Sequence, residues 1–225
     1  MDQIVDNTSA DCTKIPPVSR VNSCAHLLDF WIAGQETTTD TLNWGIIHLI
    51  HSPRVQQKLH EDLDAVRTEN DHFGGQSVTA VQQCEEGEIM VSPICCRRIY
   101  ARRNVQDVKV RGHLLPKGTS IVHQISCVLY DEKVFPEPRL FKPERFLEGD
   151  GTLRRVDELI PFSVGKTYCA GESLARMELF LVFVNLLNQY KITAPKHSPM
   201  PSKRQNFGLT VAPIPYQCQI EKRRK

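Results

Sequence analysis

The stretch that most constrains this chain is Pro161 to Phe183, PFSVGKTYCAGESLARMELFLVF, where a tight loop with two glycines and a cysteine runs into a strongly apolar helical pattern. A helix start leaves backbone N–H groups without partners and carries the positive end of the helix dipole. Cys169, placed there, is expected to favour its thiolate, the form that binds metal. Gly165 and Gly171 lack a Cβ, so the backbone can turn sharply and approach a flat ligand closely. By burial habit alone a cysteine before a helix is structural. The loop by itself therefore leaves both a structural thiol and a metal-binding thiolate open.

The run Phe162-Ser163-Val164-Gly165-Lys166-Thr167-Tyr168-Cys169-Ala170-Gly171 resembles the haem-binding loop of cytochrome P450 enzymes, F-x-x-G-x-R-x-C-x-G. Phe162, Gly165, Cys169 and Gly171 match, and the resemblance makes Cys169 the proximal thiolate on haem iron. Thr167 stands where the family has an arginine that pairs with a haem propionate. Lys166 beside it is a point charge rather than an arginine fork.

Residues 21–51 predict a long helix. Leu27, Leu28, Phe30, Trp31 and Ile32 precede, and Leu42, Trp44, Ile46, Ile47, Leu49 and Ile50 follow, a polar island at Ala33-Gly34-Gln35-Glu36-Thr37-Thr38. A helix apolar on most sides is expected to be buried, and an acid and hydroxyls at its middle are then costly without a purpose. Taken alone, the island reads equally as a stretch facing solvent. It resembles the A/G-G-x-E/D-T motif of the P450 distal helix. By that resemblance Thr37 hydrogen-bonds bound oxygen and Glu36 serves the proton relay.

Ser52-Pro53 predicts the start of a second helix. Val55, Leu59, Leu63 and Val66 recur at helical spacing on its inner face, with Gln56, Gln57, Lys58, Glu61 and Asp62 facing away. Residues 101–130 read as strands, with a turn at Pro116-Lys117-Gly118. VRGHLLPKGTSIV resembles a family sheet segment, which puts Arg102 where the family offers a cation to a haem propionate. The proline-rich stretch 136–146 excludes long regular elements. Within it Phe141-Lys142-Pro143-Glu144-Arg145-Phe146 resembles a specific family sequence whose arginine joins a Glu–Arg–Arg lock. Counting back from Asp107 puts the rest of that lock on Glu88, with Val91 in place of the second arginine. The helical pattern after Cys169 is expected to pack under the haem and against the first helix. FGLTV and YQCQI, flanking Pro213 and Pro215, resemble the family's closing hairpin.

Composition narrows the rest. A formal net charge of +2 over 225 residues gives no support to nucleic-acid binding. Eight cysteines without a C-x-x-C pair argue against zinc or dithiol redox chemistry, so the other seven read as reduced core or surface residues. No apolar run approaches the roughly 18 residues of a membrane span.

The resemblance implies a mainly α fold with small β-sheets, the C-terminal half of the P450 fold. Residues 1–20 are expected to be an irregular leader and 21–225 a partial haem domain. The implied cofactor is haem b with a cysteine thiolate ligand. NADPH acts only indirectly, through NADPH-cytochrome P450 reductase, and the substrate is a small apolar organic molecule. Microsomal members sit on the cytosolic face of the endoplasmic reticulum by an N-terminal anchor; the expectation here is a chain without that anchor, in the cytoplasm. The helices that roof the substrate pocket are expected to be missing too, leaving the distal helix with an exposed apolar face. The function implied is haem-thiolate monooxygenation. The alternatives are a truncated, non-catalytic remnant of the fold, or an unrelated helical binding module with a structural cysteine.

Overall fold

The computed structural model describes residues 20–67, 102–121, 126–165, 168–207 and 210–223. Residues 1–19 of the expected leader, and Glu88, Val91, Lys166 and Thr167, lie outside them; Arg20, the leader's last expected residue, already begins the first helix. By its internal contacts the chain divides into two units, residues 1–35 and 36–225.

Helix α1, Arg20–His51, follows the expected 21–51 pattern. In the first unit its side chains stand in solvent: Leu27, Leu28, Phe30, Trp31 and Ile32 are all exposed. Burial all along this helix was the expectation from its apolar surface, and it fails for this half. In the second unit the pattern reverses, and Trp44, Ile47, His48, Leu49 and Ile50 are buried.

The main core of the second unit joins Leu49 and Ile50 of α1, Leu59 and Leu63 of α2 (Pro53–Arg67), Phe183, Val184 and Leu187 of a third long helix, and Ile192. Each such side chain contributes about 1.5–3 kcal/mol when fully buried. The third long helix, Glu172–Gln189, is numbered α4 below because a single turn, α3 (Ser126–Leu129), precedes it in the chain. It packs chiefly on α2; α1 reaches this core through its last turns rather than along its length, which corrects the expected packing. Gln56 corrects the helical reading of α2: it is buried, not facing away. Its Nε2 donates to the Ile192 carbonyl at 2.9 Å, and its Oε1 accepts from the Ile192 N–H at 2.8 Å.

The sheets are small and antiparallel. Strand β1 (Arg102–Arg103) pairs with β4 (Ser120–Ile121), and β2 (Val108–Val110) with β3 (His113–Leu115). Arg111 and Gly112, at φ 46° and 87°, make the two-residue turn that right-twisted strands favour. The strand reading of 101–130 fails at its end, where α3 is a helical turn. Leu129 is drawn into a satellite core with Phe135 and Phe146, and a turn delivers it there.

The proline-rich segment is organised around Arg145. Its guanidinium donates to the carbonyls of Pro136 (3.0 Å), Glu137 (2.9 Å) and Leu140 (2.9 Å), and its Nε to that of Lys142 (3.2 Å). A 3₁₀ turn, Pro143–Phe146, forms inside it, a short regular piece where an irregular chain was expected. His48 stacks on Phe141 at 4.7 Å between ring centres, tying α1 to this segment.

At the C-terminal end, β5 (Tyr190–Thr193) pairs with β8 (Gln219–Lys222), and β6 (Gln205–Phe207) with β7 (Val211–Pro213). The two ends of FGLTV, Phe207 and Val211, are therefore paired with each other across β6 and β7. YQCQI does not pair with it; its end joins β5, the strand that continues from α4. Ile192 is buried in the core while Ile220 opposite it is exposed.

Candidate active site

The loop before α4 is closed by its own backbone. The Cys169 N–H donates to the Phe162 carbonyl at 3.0 Å, the Tyr168 N–H to Gly165 at 3.1 Å, and the Glu172 N–H to Cys169 at 3.3 Å. Gly165 sits at φ +84°, a region that L side chains enter at a cost of about 1–2 kcal/mol. Gly171 is different: it caps α4 at φ −93°, so its backbone does not demand glycine, and open space surrounds the place a Cβ would take. The sequence places Cys169 at the helix start; the structure places it two residues before the cap, because a turn through Ala170 and Gly171 intervenes. The loop is pinned to the helix by Arg176. Its guanidinium lies 4.8 Å from the centre of the Phe162 ring, and its Nε donates to Glu172 at 3.0 Å. Glu172 and Arg176 are four residues apart on α4, a spacing visible in the sequence, whereas the contact with Phe162 carries no local mark.

Cys169 is half-buried and forms no disulfide. Among the described residues no three His, Cys, Asp or Glu side chains gather to hold a metal ion. That donor set, one reachable thiol on a turned loop, fits haem. The macrocycle supplies the other iron ligands and the protein need give only one. Phe162, Gly165, Cys169 and Gly171 are thus brought together in one loop. Arg102 lies on β1 opposite Ile121.

Glu36 and Thr37 stand side by side on α1. Glu36 is exposed and Thr37 half-buried. The Thr37 carbonyl accepts the Thr41 hydroxyl at 2.8 Å, a one-turn back-bond of the kind that slightly bends helices. Two further residues belong to this neighbourhood that sequence reasoning missed. The Thr210 hydroxyl donates to Glu36 Oε2 at 3.4 Å, across from the turn before β7. Asp40, one turn below Glu36, is buried with its Oδ2 lacking a partner. Burial pushes the Asp40 carboxyl up from its ordinary value; a hydrogen bond with Thr210 opposes this and the Glu36 charge adds to it. The four-residue spacing of Glu36 and Asp40 was the available signal.

With this geometry described, comparison with known proteins is direct. The family model for cytochrome P450 matches residues 6–84 and 93–220, and the chain belongs to the cytochrome P450 family. It is 32% identical over 223 residues to a 3-ketosteroid oxygenase of Caenorhabditis elegans, covering 98% of this chain and 38% of that protein. It is 35% identical over 199 residues to cytochrome P450 2D10 of Rattus norvegicus, covering 85% of this chain and 38% of that protein. A solved zebra fish cytochrome P450 with abiraterone superposes at a TM-score of 0.75 with 30% identity, over 87% of this chain and 47% of that one. The chain thus spans about two fifths of the length of these curated relatives. The mainly α architecture with small sheets is that of the corresponding part of the P450 fold. No helix among the described residues is long and apolar enough to cross a membrane.

Proposed function

We propose that this chain carries the haem-ligating and oxygen-facing part of a haem-thiolate monooxygenase, with Cys169 as the thiolate ligand to haem iron. The observation that carries this reading is the closed loop from Phe162 to Glu172, which presents one half-buried, unoxidised thiol ahead of a helix start. Bound haem would supply dioxygen activation, and the sulfur's electron donation would favour O–O cleavage.

The chain's own residues take distinct parts. Gly165 turns the backbone so that Cys169 leads the loop, and Arg176 fixes the Phe162 ring against α4. Gly171 leaves room beside the sulfur for a flat ring. Arg102 is proposed to meet a propionate from β1. Glu36 would serve the proton relay on the oxygen side, and the Thr37 hydroxyl would hydrogen-bond the oxygen there. Electrons from NADPH arrive through NADPH-cytochrome P450 reductase at the endoplasmic reticulum membrane. The substrate class is a small apolar organic molecule.

The experiment is a reduced, carbon-monoxide difference spectrum of the chain reconstituted with haem, beside Cys169→Ala. A red-shifted Soret band that disappears in Cys169→Ala is the expected result. Absence of that band in the wild-type chain would remove the haem-thiolate reading and leave a non-catalytic relative of the fold.

A further inference from the structure

We propose that a cavity beside the last turns of α1 binds a small planar aromatic carboxylate, an anion of benzoate size. None of the residues that argue for it is among those assigned to haem or oxygen, so it goes beyond the haem-thiolate reading.

The cavity is built by stretches that lie far apart in the chain. Trp44 and His48 come from α1, Tyr130 follows α3, Arg139 belongs to the proline-rich segment, and Lys203 precedes β6. Its volume is about 230 Å³. That is below the roughly 300–1,000 Å³ of pockets for drug-sized ligands, and it suits a molecule of one ring.

Charge decides the sign of the ligand. Among the described residues that line the cavity, Arg139 and Lys203 are cationic and none is Asp or Glu. Neither cation forms an ion pair among the described residues. Glu137, two residues before Arg139, is paired instead with Lys142 at 2.8 Å. Uncompensated cations at a concavity focus a positive potential, and an arginine fork matches the two oxygens of a carboxylate.

The walls decide its shape. The Arg139 guanidinium lies over the Tyr130 ring, 4.7 Å from its centre, which holds a planar donor against a planar wall. On the side of α1, the Trp44 indole N–H is already taken by the Val211 carbonyl at 2.7 Å. Trp44 therefore offers a ligand ring surface rather than a donor. His48 is fixed by its stacking on Phe141. A flat ring among these aromatic groups, with its carboxylate at Arg139 and Lys203, uses both features at once. An inorganic anion would use only the cations, and a neutral ring only the walls.

The test is fluorine NMR of para-fluorobenzoate titrated with the full chain, which needs no haem and is read independently of Cys169. Saturable broadening of the probe's line is expected. The matching amide, para-fluorobenzamide, keeps the ring without the charge and is expected to bind about tenfold more weakly, the loss of one charge-assisted contact. Arg139→Gln is expected to weaken para-fluorobenzoate binding by about tenfold as well, and Lys203→Gln to weaken it measurably. Both side chains are exposed, so these variants keep the fold, which an unchanged far-ultraviolet circular dichroism spectrum checks. Absence of saturable broadening with the wild-type chain overturns the proposal. So does binding that Arg139→Gln or Lys203→Gln leaves unchanged, or equal binding of the amide. Displacement of the probe by inorganic phosphate at equal concentration also overturns it, since the cations alone would then suffice.

Discussion

Gln56 and Ile192 hold each other by a pair of hydrogen bonds, the side-chain amide of one meeting both backbone groups of the other at 2.9 and 2.8 Å. The glutamine acts as a one-residue strand partner for β5, inside the core shared by α1, α2 and α4. Gln56→Ala would leave a buried N–H and a buried C=O unpaired, each costing about 1–3 kcal/mol. The expected outcome is a loss of about 2–5 kcal/mol, read as a lower urea midpoint at unchanged slope. A change below half a kcal/mol would mean that water replaces the amide.

The two loop glycines should behave differently. Gly165→Ala forces a side chain into φ +84° and is expected to cost about 1–2 kcal/mol of stability without any ligand. Gly171→Ala, at φ −93° with free space around it, is expected to leave the haem-free chain's stability within about half a kcal/mol. Its effect should appear instead as weaker haem uptake in a titration followed at the Soret band. Equal losses of stability in both variants would contradict this assignment.

His60 and Asp40 set opposite pH responses. Burial first, then the Arg223 charge, lowers the His60 pKa below its ordinary 6.5. The unfolded chain therefore takes up a proton as pH falls below about 6.5 while the folded chain does not, and stability falls with it. His60→Leu should flatten that acid limb. Asp40 has its pKa raised above 3.8 by burial, so the unfolded chain ionises first as pH rises and stability falls toward neutral. Asp40→Asn should raise stability at neutral pH. Denaturant melts across the pH range read both effects, and an unchanged acid limb in His60→Leu would remove the first.

Arg145 binds four carbonyls of the segment 136–142 through one planar group. Lysine keeps the charge but not the fork. Arg145→Lys is expected to cost about 2 kcal/mol, the scale of one or two charge-assisted bonds. Hydrogen exchange should show the loss concentrated between residues 136 and 146. Protection unchanged there would mean that Phe135 and Phe146 fix the segment without it.

What the chain's residues disclosed was mostly what breaks a local rule. The loop around Cys169 and the polar island at Glu36 and Thr37 were readable because glycines and polar groups interrupt apolar helical patterns. Helix α1, helix α2 and the Pro116–Gly118 turn followed from period and turn chemistry. Gln56 was misplaced because the helical period of α2 grades residues by polarity, and a glutamine whose bonds close on a strand 136 positions away carries no local mark. The pairing of β8 with β5 was missed for the same reason: FGLTV and YQCQI are neighbours in sequence, whereas the partner of the second lies before both. Asp40 had a local signal, its four-residue spacing from Glu36, but its burial and its contact with Thr210 depend on the hairpin.

Of the chain's two tryptophans, Trp44 is 5% exposed and bonded to the hairpin at Val211, while Trp31 is 68% exposed. Replacing Trp31 with phenylalanine leaves a single indole whose emission colour depends on whether that hairpin is seated. Such a variant reports, by fluorescence alone, whether Val211 is seated on Trp44 of α1.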